Sequence, residues 1–232
     1  MKELVERLQQ RFKEADAMEI LTSIAGEYRN QVAFSTSFGA EDQVITHMLS
    51  RTGNSIDIFT LDTGRLFQET YDTMDISVKK YDISIALVFP DRHQVEQMVN
   101  AKGINLFYDS VENRRQCCNI RKTIPLKRAL DGHLVWVTGL RRDQSVTRHT
   151  EAMISWNDEY NLIKINPLID WSEEMVWDYI RTHKVPYNPL HDKNYPSIGC
   201  QPCTRAVLPG EPVRAGRWWW EHPENKECGL HK

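Results

Sequence analysis

The sequence predicts an α/β fold, an open and mostly parallel sheet with helices on both faces, followed by a C-terminal tail. Three observations lead there. Short apolar runs at 32–35, 56–61, 83–89 and 134–138 read as buried strands, being rich in Val, Ile, Leu and Phe and too short for helices. Longer stretches of helical period, at 41–49, 67–79 and 92–101, lie between them. Alternation of strand and crossover helix builds parallel sheets, and such sheets bind ligands outside the carboxyl ends of their strands.

The first elements are helical: Leu4, Val5, Leu8 and Phe12 form one apolar stripe, and a second helical stretch runs over 18–28. After the fourth strand a capped helix is predicted from Ser172-Glu-Glu, and then Pro, Asn, Gly and Cys dominate 186–203. Length supports this layout, since 232 residues suit one domain with an appendage. Residues 1–204 read as the domain and 205–232 as the tail.

With 41% apolar and 26% charged residues, and 29 basic against 32 acidic side chains, the chain is neither disordered nor a polybasic nucleic-acid binder. No stretch approaches the ~20 apolar residues of a membrane span, and the amino terminus is too charged for a signal-peptide core. A cytoplasmic protein is expected, without membrane or nucleic-acid partners and with a dimer or tetramer as its usual state.

Five cysteines stand at 117, 118, 200, 203 and 228. An odd number without an export signal argues against a disulfide framework and for a metal or redox site. Cys117 and Cys118 lie in a helical segment, while Cys200 and Cys203 lie in a turn-rich loop. Together they supply four thiolates, enough for a tetrahedral zinc or an iron–sulfur cluster. Adjacent cysteines on a helix diverge by ~100°, which favours a cluster whose separate irons meet separate sulfurs and leaves structural zinc as the alternative. Arg121 and Lys122, four residues on, fall on the same helix faces and offset the charge of four thiolates.

The strand-end loops carry the candidate ligand groups. Ser35-Thr-Ser37-Phe-Gly39 closes the first strand ahead of a helix, so hydroxyls and free amides there suit an anion or nucleotide. Leu61-Asp-Thr63-Gly-Arg65 follows the second strand, and Thr138-Gly139-Leu-Arg141-Arg142 the fourth, with Arg148 beyond. An adenine fits against backbone near Leu61 and Gly139, and forked arginine hydrogen bonds suit phosphate or sulfate. Any one of Arg141, Arg142 and Arg148 also reads as an ordinary surface ion-pair partner.

In the tail, Arg214 and Arg217 are three residues apart beside Trp218, Trp219 and Trp220, of which at least two are expected to anchor the segment by packing. Cys228 is the odd thiol, with Gly229 for freedom and His231 nearby to favour a thiolate.

These motifs, STSFGAED, LDTGR, CCNIRK, TGLRRDQS, CQPC, RAGRW and ECGLH, occur in one order from about 32 to 231, and in this the sequence resembles the assimilatory sulfonucleotide reductases. The resemblance implies an adenine-nucleotide α-hydrolase type of fold. It further implies that Cys117, Cys118, Cys200 and Cys203 hold a [4Fe-4S] cluster and that adenylylsulfate (APS) is the substrate, with the 3′-phosphorylated nucleotide (PAPS), or both, as the alternative. By the same resemblance the Cys228 thiolate attacks the sulfur of APS, releases AMP and forms an S-sulfocysteine from which thioredoxin frees sulfite. Lys122, Arg148, Arg214, Arg217 and His231 then match the positions facing phosphate and sulfate, with the cluster acting through Lys122. One departure is LFQET after the second strand, where this family usually has a proline.

Two rivals remain. A tRNA-thiolation or ATP-pyrophosphatase enzyme shares the fold type but has an SGGxDS-type loop where this chain has STSFGAED, and the net charge of −3 gives no tRNA footprint. A non-catalytic cluster-based nucleotide sensor would have no use for Cys228.

Overall fold

The computed structural model of the chain describes residues 2–53, 56–144, 150–222 and Gly229. Among these residues the helices are α1 (Lys2–Arg11), α2 (Ala17–Glu27), α3 (Ala40–Leu49), α4 (Gln68–Tyr81), α5 (Arg92–Lys102), α6 (Val111–Cys118), α7 (Ile124–Leu130) and α8 (Glu173–His183). The strands are β1 (Val32–Ser35), β2 (Asp57–Leu61), β3 (Ala86–Val88), β4 (Val135–Val137), β5 (Ile154–Asn157) and β6 (Leu162–Ile165). They form one sheet in the order β3-β2-β1-β4-β6-β5, parallel except for the β5–β6 hairpin.

Period-two alternation gives each face of the sheet its own core. Phe34, Val135, Val137 and Ile165 point into a large cluster with Leu21 and Ile24 of α2, Val44 and Ile45 of α3, and Val176 and Ile180 of α8. Ala33, Phe59 and Trp136 point to the opposite face, against Leu126 and Leu130 of α7. Helices therefore cover both faces, as the sequence predicts. Several starts are capped by side chains: Asp16, Asp91, Ser110 and Ser172 accept from backbone amides three residues on.

Three features differ from expectation. The run at 83–89 is not a buried strand: β3 is the sheet edge, and Leu87 and Phe89 are exposed because no strand covers that side. The β5–β6 hairpin adds two strands that the sequence pattern did not mark, turning at Asn161 in the left-handed region (φ 56°). Between α6 and α7 the chain widens into a π-helical turn, Asn119–Thr123, which carries Arg121 and Lys122. Such turns break regular helical spacing and recur at functional sites.

No helix among the described residues is long and apolar enough to cross a membrane.

Candidate functional site

Every central parallel strand delivers its chain to the same edge of the sheet, so the loops after β1, β2 and β4 converge. They line a cleft of about 710 Å³ whose walls include Ser35, Ser37, Gly39, Leu61, Thr63 and Gly139. Lys122, Arg214 and Arg217 reach the same cleft. Arg148, Cys228 and His231 lie outside the described residues.

The loops are held by buried polar contacts. The Ser35 hydroxyl accepts from Trp136 Nε1 at 2.8 Å. Ser37 donates its amide and its hydroxyl to Asp42 Oδ2, at 2.6 and 2.7 Å. Phe38 between them is buried at φ 59°, a conformation bulky residues rarely adopt, and its amide donates to Thr36 Oγ1. Gly39 caps α3 with ordinary extended backbone, so its value there is an unobstructed helix amino terminus rather than unusual torsion angles. Asp62 is buried and accepts from the Gly64 amide and the Tyr71 hydroxyl. Burial and the neighbouring Asp62 push the Tyr71 phenol up to about 12, so it stays a donor.

The arginines after β4 behave as ion-pair partners: Arg141 is buried against Glu41 at 2.7 Å, and Arg142 pairs with Asp170. Arg65 turns away from the cleft, donating to the Ile104 carbonyl and to Asn105 at 3.0 Å each.

Beside the cleft lies a second cavity, lined by Cys117, Cys118, Cys200 and Cys203. Two thiols come from the end of α6. The other two come from a loop fixed to β2's exit, where the Gln201 amide donates to the Arg65 carbonyl and Thr63 Oγ1 lies 3.3 Å from Cys200 Sγ. The cations Arg65, Arg114, Arg121, Lys122 and Arg217 and the rings of Phe107 and Trp218 are also in its lining, and Lys122 and Arg217 line the cleft as well, so the two spaces share a wall. Arg121 Nη1 donates to the Thr63 carbonyl at 2.6 Å, tying the π-helical turn to the LDTG loop.

Their electrostatics are uneven. Burial pushes Cys117 up, although Arg121 and Lys122 oppose it, and burial with Cys200 nearby pushes Cys203 up to about 12. Burial also opposes ionisation of Cys200, yet Lys122, the Thr63 hydroxyl, Arg217 and Arg121 outweigh it and its thiol lies below the ordinary value. An array of cations around soft sulfur donors is suited to hold a negatively charged thiolate–metal centre. Among the described residues no three His, Cys, Asp or Glu side chains converge as for a single ion.

The first part of the tail, as far as Trp220, closes this cavity. Thr204 and Arg217 form a bridge, and the Trp218 amide donates to the Cys203 carbonyl. Trp218 is buried and Trp220 packs beside it, while Trp219 is 39% exposed, so two of the three tryptophans anchor. Arg217 fits only because Gly199 has no side chain: a Cβ there would overlap its guanidinium.

Residues 31–206 match the profile of the phosphoadenosine phosphosulfate reductase domain. The chain belongs to that family. It is 52% identical over 220 residues to adenosine 5'-phosphosulfate reductase of Allochromatium vinosum, covering 95% of this chain and 86% of that one. It is 50% identical over 211 residues to the enzyme of the same name from Rhizobium meliloti, covering 91% and 79%. Among solved structures of the family it resembles phosphoadenylyl-sulfate reductase from Candida auris, crystallised as a phosphate complex, at TM-score 0.76 and 27% identity, over 89% of this chain and 98% of that one. Candida glabrata FMN adenylyltransferase shares the fold at TM-score 0.55 and 16% identity, covering 99% of this chain and 84% of that one. The sulfonucleotide reductase resemblance and the α-hydrolase type of fold are thus both upheld.

Sequence reasoning found the cysteines and the cleft loops. It missed Asp42 and Asp62 as buried organisers of those loops, and the pairing of Arg114 with Glu221.

Proposed function

We propose that this reductase-family chain reduces APS to sulfite and AMP in sulfate assimilation, using thioredoxin as dithiol donor and Cys228 as nucleophile. The observation that carries this is the shared wall, where Lys122 and Arg217 line both a strand-end cleft of nucleotide size and a cavity of four cysteines. The relatives at 50% identity and above that bear the APS reductase name favour APS over PAPS.

Cys117, Cys118, Cys200 and Cys203 are the residues that would hold a [4Fe-4S] cluster, and the cations lining their cavity suit the net negative charge of such a centre. When bound, such a cluster supplies a rigid tie between α6 and the CQPC loop and a local negative charge balanced by the surrounding cations. The remaining chemistry belongs to the chain. Backbone at Leu61 and Gly139 receives the adenine, and Ser35, Ser37 and the free amides beyond Gly39 receive the anionic end. Lys122, Arg148, Arg214, Arg217 and His231 offset charge on phosphate and sulfate as it develops.

In the first step Cys228 Sγ forms a bond to the sulfonyl sulfur while that sulfur's bond to the phosphate oxygen breaks, its electron pair leaving with AMP. A thioredoxin thiolate then attacks Cys228 Sγ and sulfite departs with the sulfur–sulfur electron pair. The second thioredoxin thiol resolves the mixed disulfide, so the dithiol is oxidised by two electrons and the Cys228 thiolate returns.

The test is turnover of APS and of PAPS with reduced thioredoxin, alongside iron and acid-labile sulfide analysis of anaerobically purified protein. Sulfite from APS, lost in Cys228→Ser, with about four irons and four sulfides per chain, is the expected result. Turnover of PAPS alone would transfer the activity to that nucleotide, and one zinc per chain would refute the cluster.

A further inference from the structure

Arg114 stands on α6, three residues before Cys117, and is completely buried. Its Nε and Nη2 donate to the two carboxylate oxygens of Glu221 at 3.0 and 2.7 Å, a forked pairing between residues 107 positions apart. The Glu221 side chain is 3% exposed. The same guanidinium lies 4.7 Å from the centroid of the Trp218 ring and hydrogen-bonds Cys118. Arg217 lies 4.7 Å from that ring as well. Trp218 itself has φ 40°, a strained value for a bulky residue that only its surroundings can impose.

Stability does not explain this arrangement. A buried ion pair is a weak stabiliser, because desolvation offsets most of its attraction, and apolar side chains of similar volume would serve as well. A forked pair does something apolar contacts cannot, which is to fix orientation. The orientation fixed here belongs to the last described turn before the segment that carries Cys228, and Arg217 is carried with it. Neither Arg114 nor Glu221 lines the strand-end cleft.

We propose that Arg114 and Glu221 are positioning residues for the tail: they set where it leaves the domain and, through Trp218, hold Arg217 against both cleft and cysteine cavity. This rests on the reading of Cys228 as the nucleophile. In-line attack on a sulfonyl sulfur depends on alignment, and a tail released at its root reaches the substrate but rarely in line.

The experiment uses the full-length, cofactor-loaded protein and Glu221→Gln, which keeps the shape and removes the charge. APS is mixed with each protein without reductant, S-sulfonation of Cys228 is timed by mass spectrometry, AMP affinity is measured by calorimetry, and alkylation of Cys228 by iodoacetamide is timed separately. The expected result is sulfonation slowed about tenfold or more, faster alkylation, and an AMP affinity that falls far less than the sulfonation rate, reflecting only the loosened Arg217. A variant that binds AMP and sulfonates at the parent rate overturns the proposal. Should Glu221→Gln lose AMP binding, Arg114→Lys is read in the same way, since it retains a cation but lacks the fork. Loss of AMP binding in both assigns the pair to folding and also overturns it. A parent protein that forms no adduct on Cys228 instead refutes the assigned nucleophile, while the alkylation comparison still reports whether the pair restrains the tail.

Discussion

Gly139 and Asp42 meet so closely that a methyl group on the glycine would overlap the aspartate carboxylate. Because Asp42 also holds the Ser37 amide and hydroxyl, this contact locks the end of β4 to the first turn of α3 across the floor of the cleft. Gly139→Ala is therefore expected to cost about 1–3 kcal/mol of stability through overpacking and to weaken AMP binding, measured by thermal unfolding and calorimetry. Gly39→Ala is the control: nothing lies closer than 3.7 Å to a Cβ there, so it should cost only the weaker N-cap of α3, below about 1 kcal/mol.

Thr63 binds the cysteine loop through its hydroxyl, which lies 3.3 Å from Cys200 Sγ and accepts from the Arg65 amide. Thr63→Val keeps the shape and removes both contacts. Its expected cost is about 1 kcal/mol per lost hydrogen bond. The Cys200 thiol should ionise at higher pH in metal-free protein, followed by the thiolate absorbance of a variant in which the other cysteines are serine.

Burial, then His183, Arg51 and Lys80, hold the His47 imidazole below its ordinary value of 6.5. The unfolded chain therefore takes up this proton before the folded one does. The contribution is complete above about pH 6.5 and is lost as pH falls through that value toward the folded pKa. His47→Gln should accordingly show a shallower fall in Tm between about pH 7.5 and 5.5 than the parent, despite losing the 2.9 Å contact to the Tyr179 hydroxyl.

Removal of one sulfur donor tests the cysteine cavity independently of turnover. Cys203→Ser should leave far-ultraviolet circular dichroism near that of the parent, because both sheet cores lie outside this cavity, while visible absorbance and bound iron fall toward zero. Chelation of the parent protein should lower its Tm, since a centre held only by the folded chain stabilises that state by mass action.

The core of the fold was legible because β1, β2 and β4 are apolar on both faces, a pattern that only a doubly covered parallel sheet demands. The β5–β6 hairpin was not: β5 is only half-buried along its middle and Lys164 interrupts the apolar residues of β6, so neither strand reads as a continuous apolar stretch. An Asn-rich turn at Asn157 and Asn161 was the available signal. In the site, cysteine types and spacing announced themselves, whereas Asp42 and Asp62 read as ordinary acids until burial showed them organising loops. Arg114 and Glu221 were beyond sequence reasoning, since nothing local distinguishes a charge that finds its partner on the far side of the chain.

That separation has a consequence for the order of assembly. Synthesis proceeds from the amino terminus, and contacts between distant segments form after local ones because closing a long loop is entropically expensive. Arg114 and the α6 cysteines are therefore made well before the Trp218 and Glu221 that pack over them. Without Trp218 in place the cysteine cavity would lack its indole wall. The docking of Trp218 is thus the event that completes the wall around the four thiols on that side.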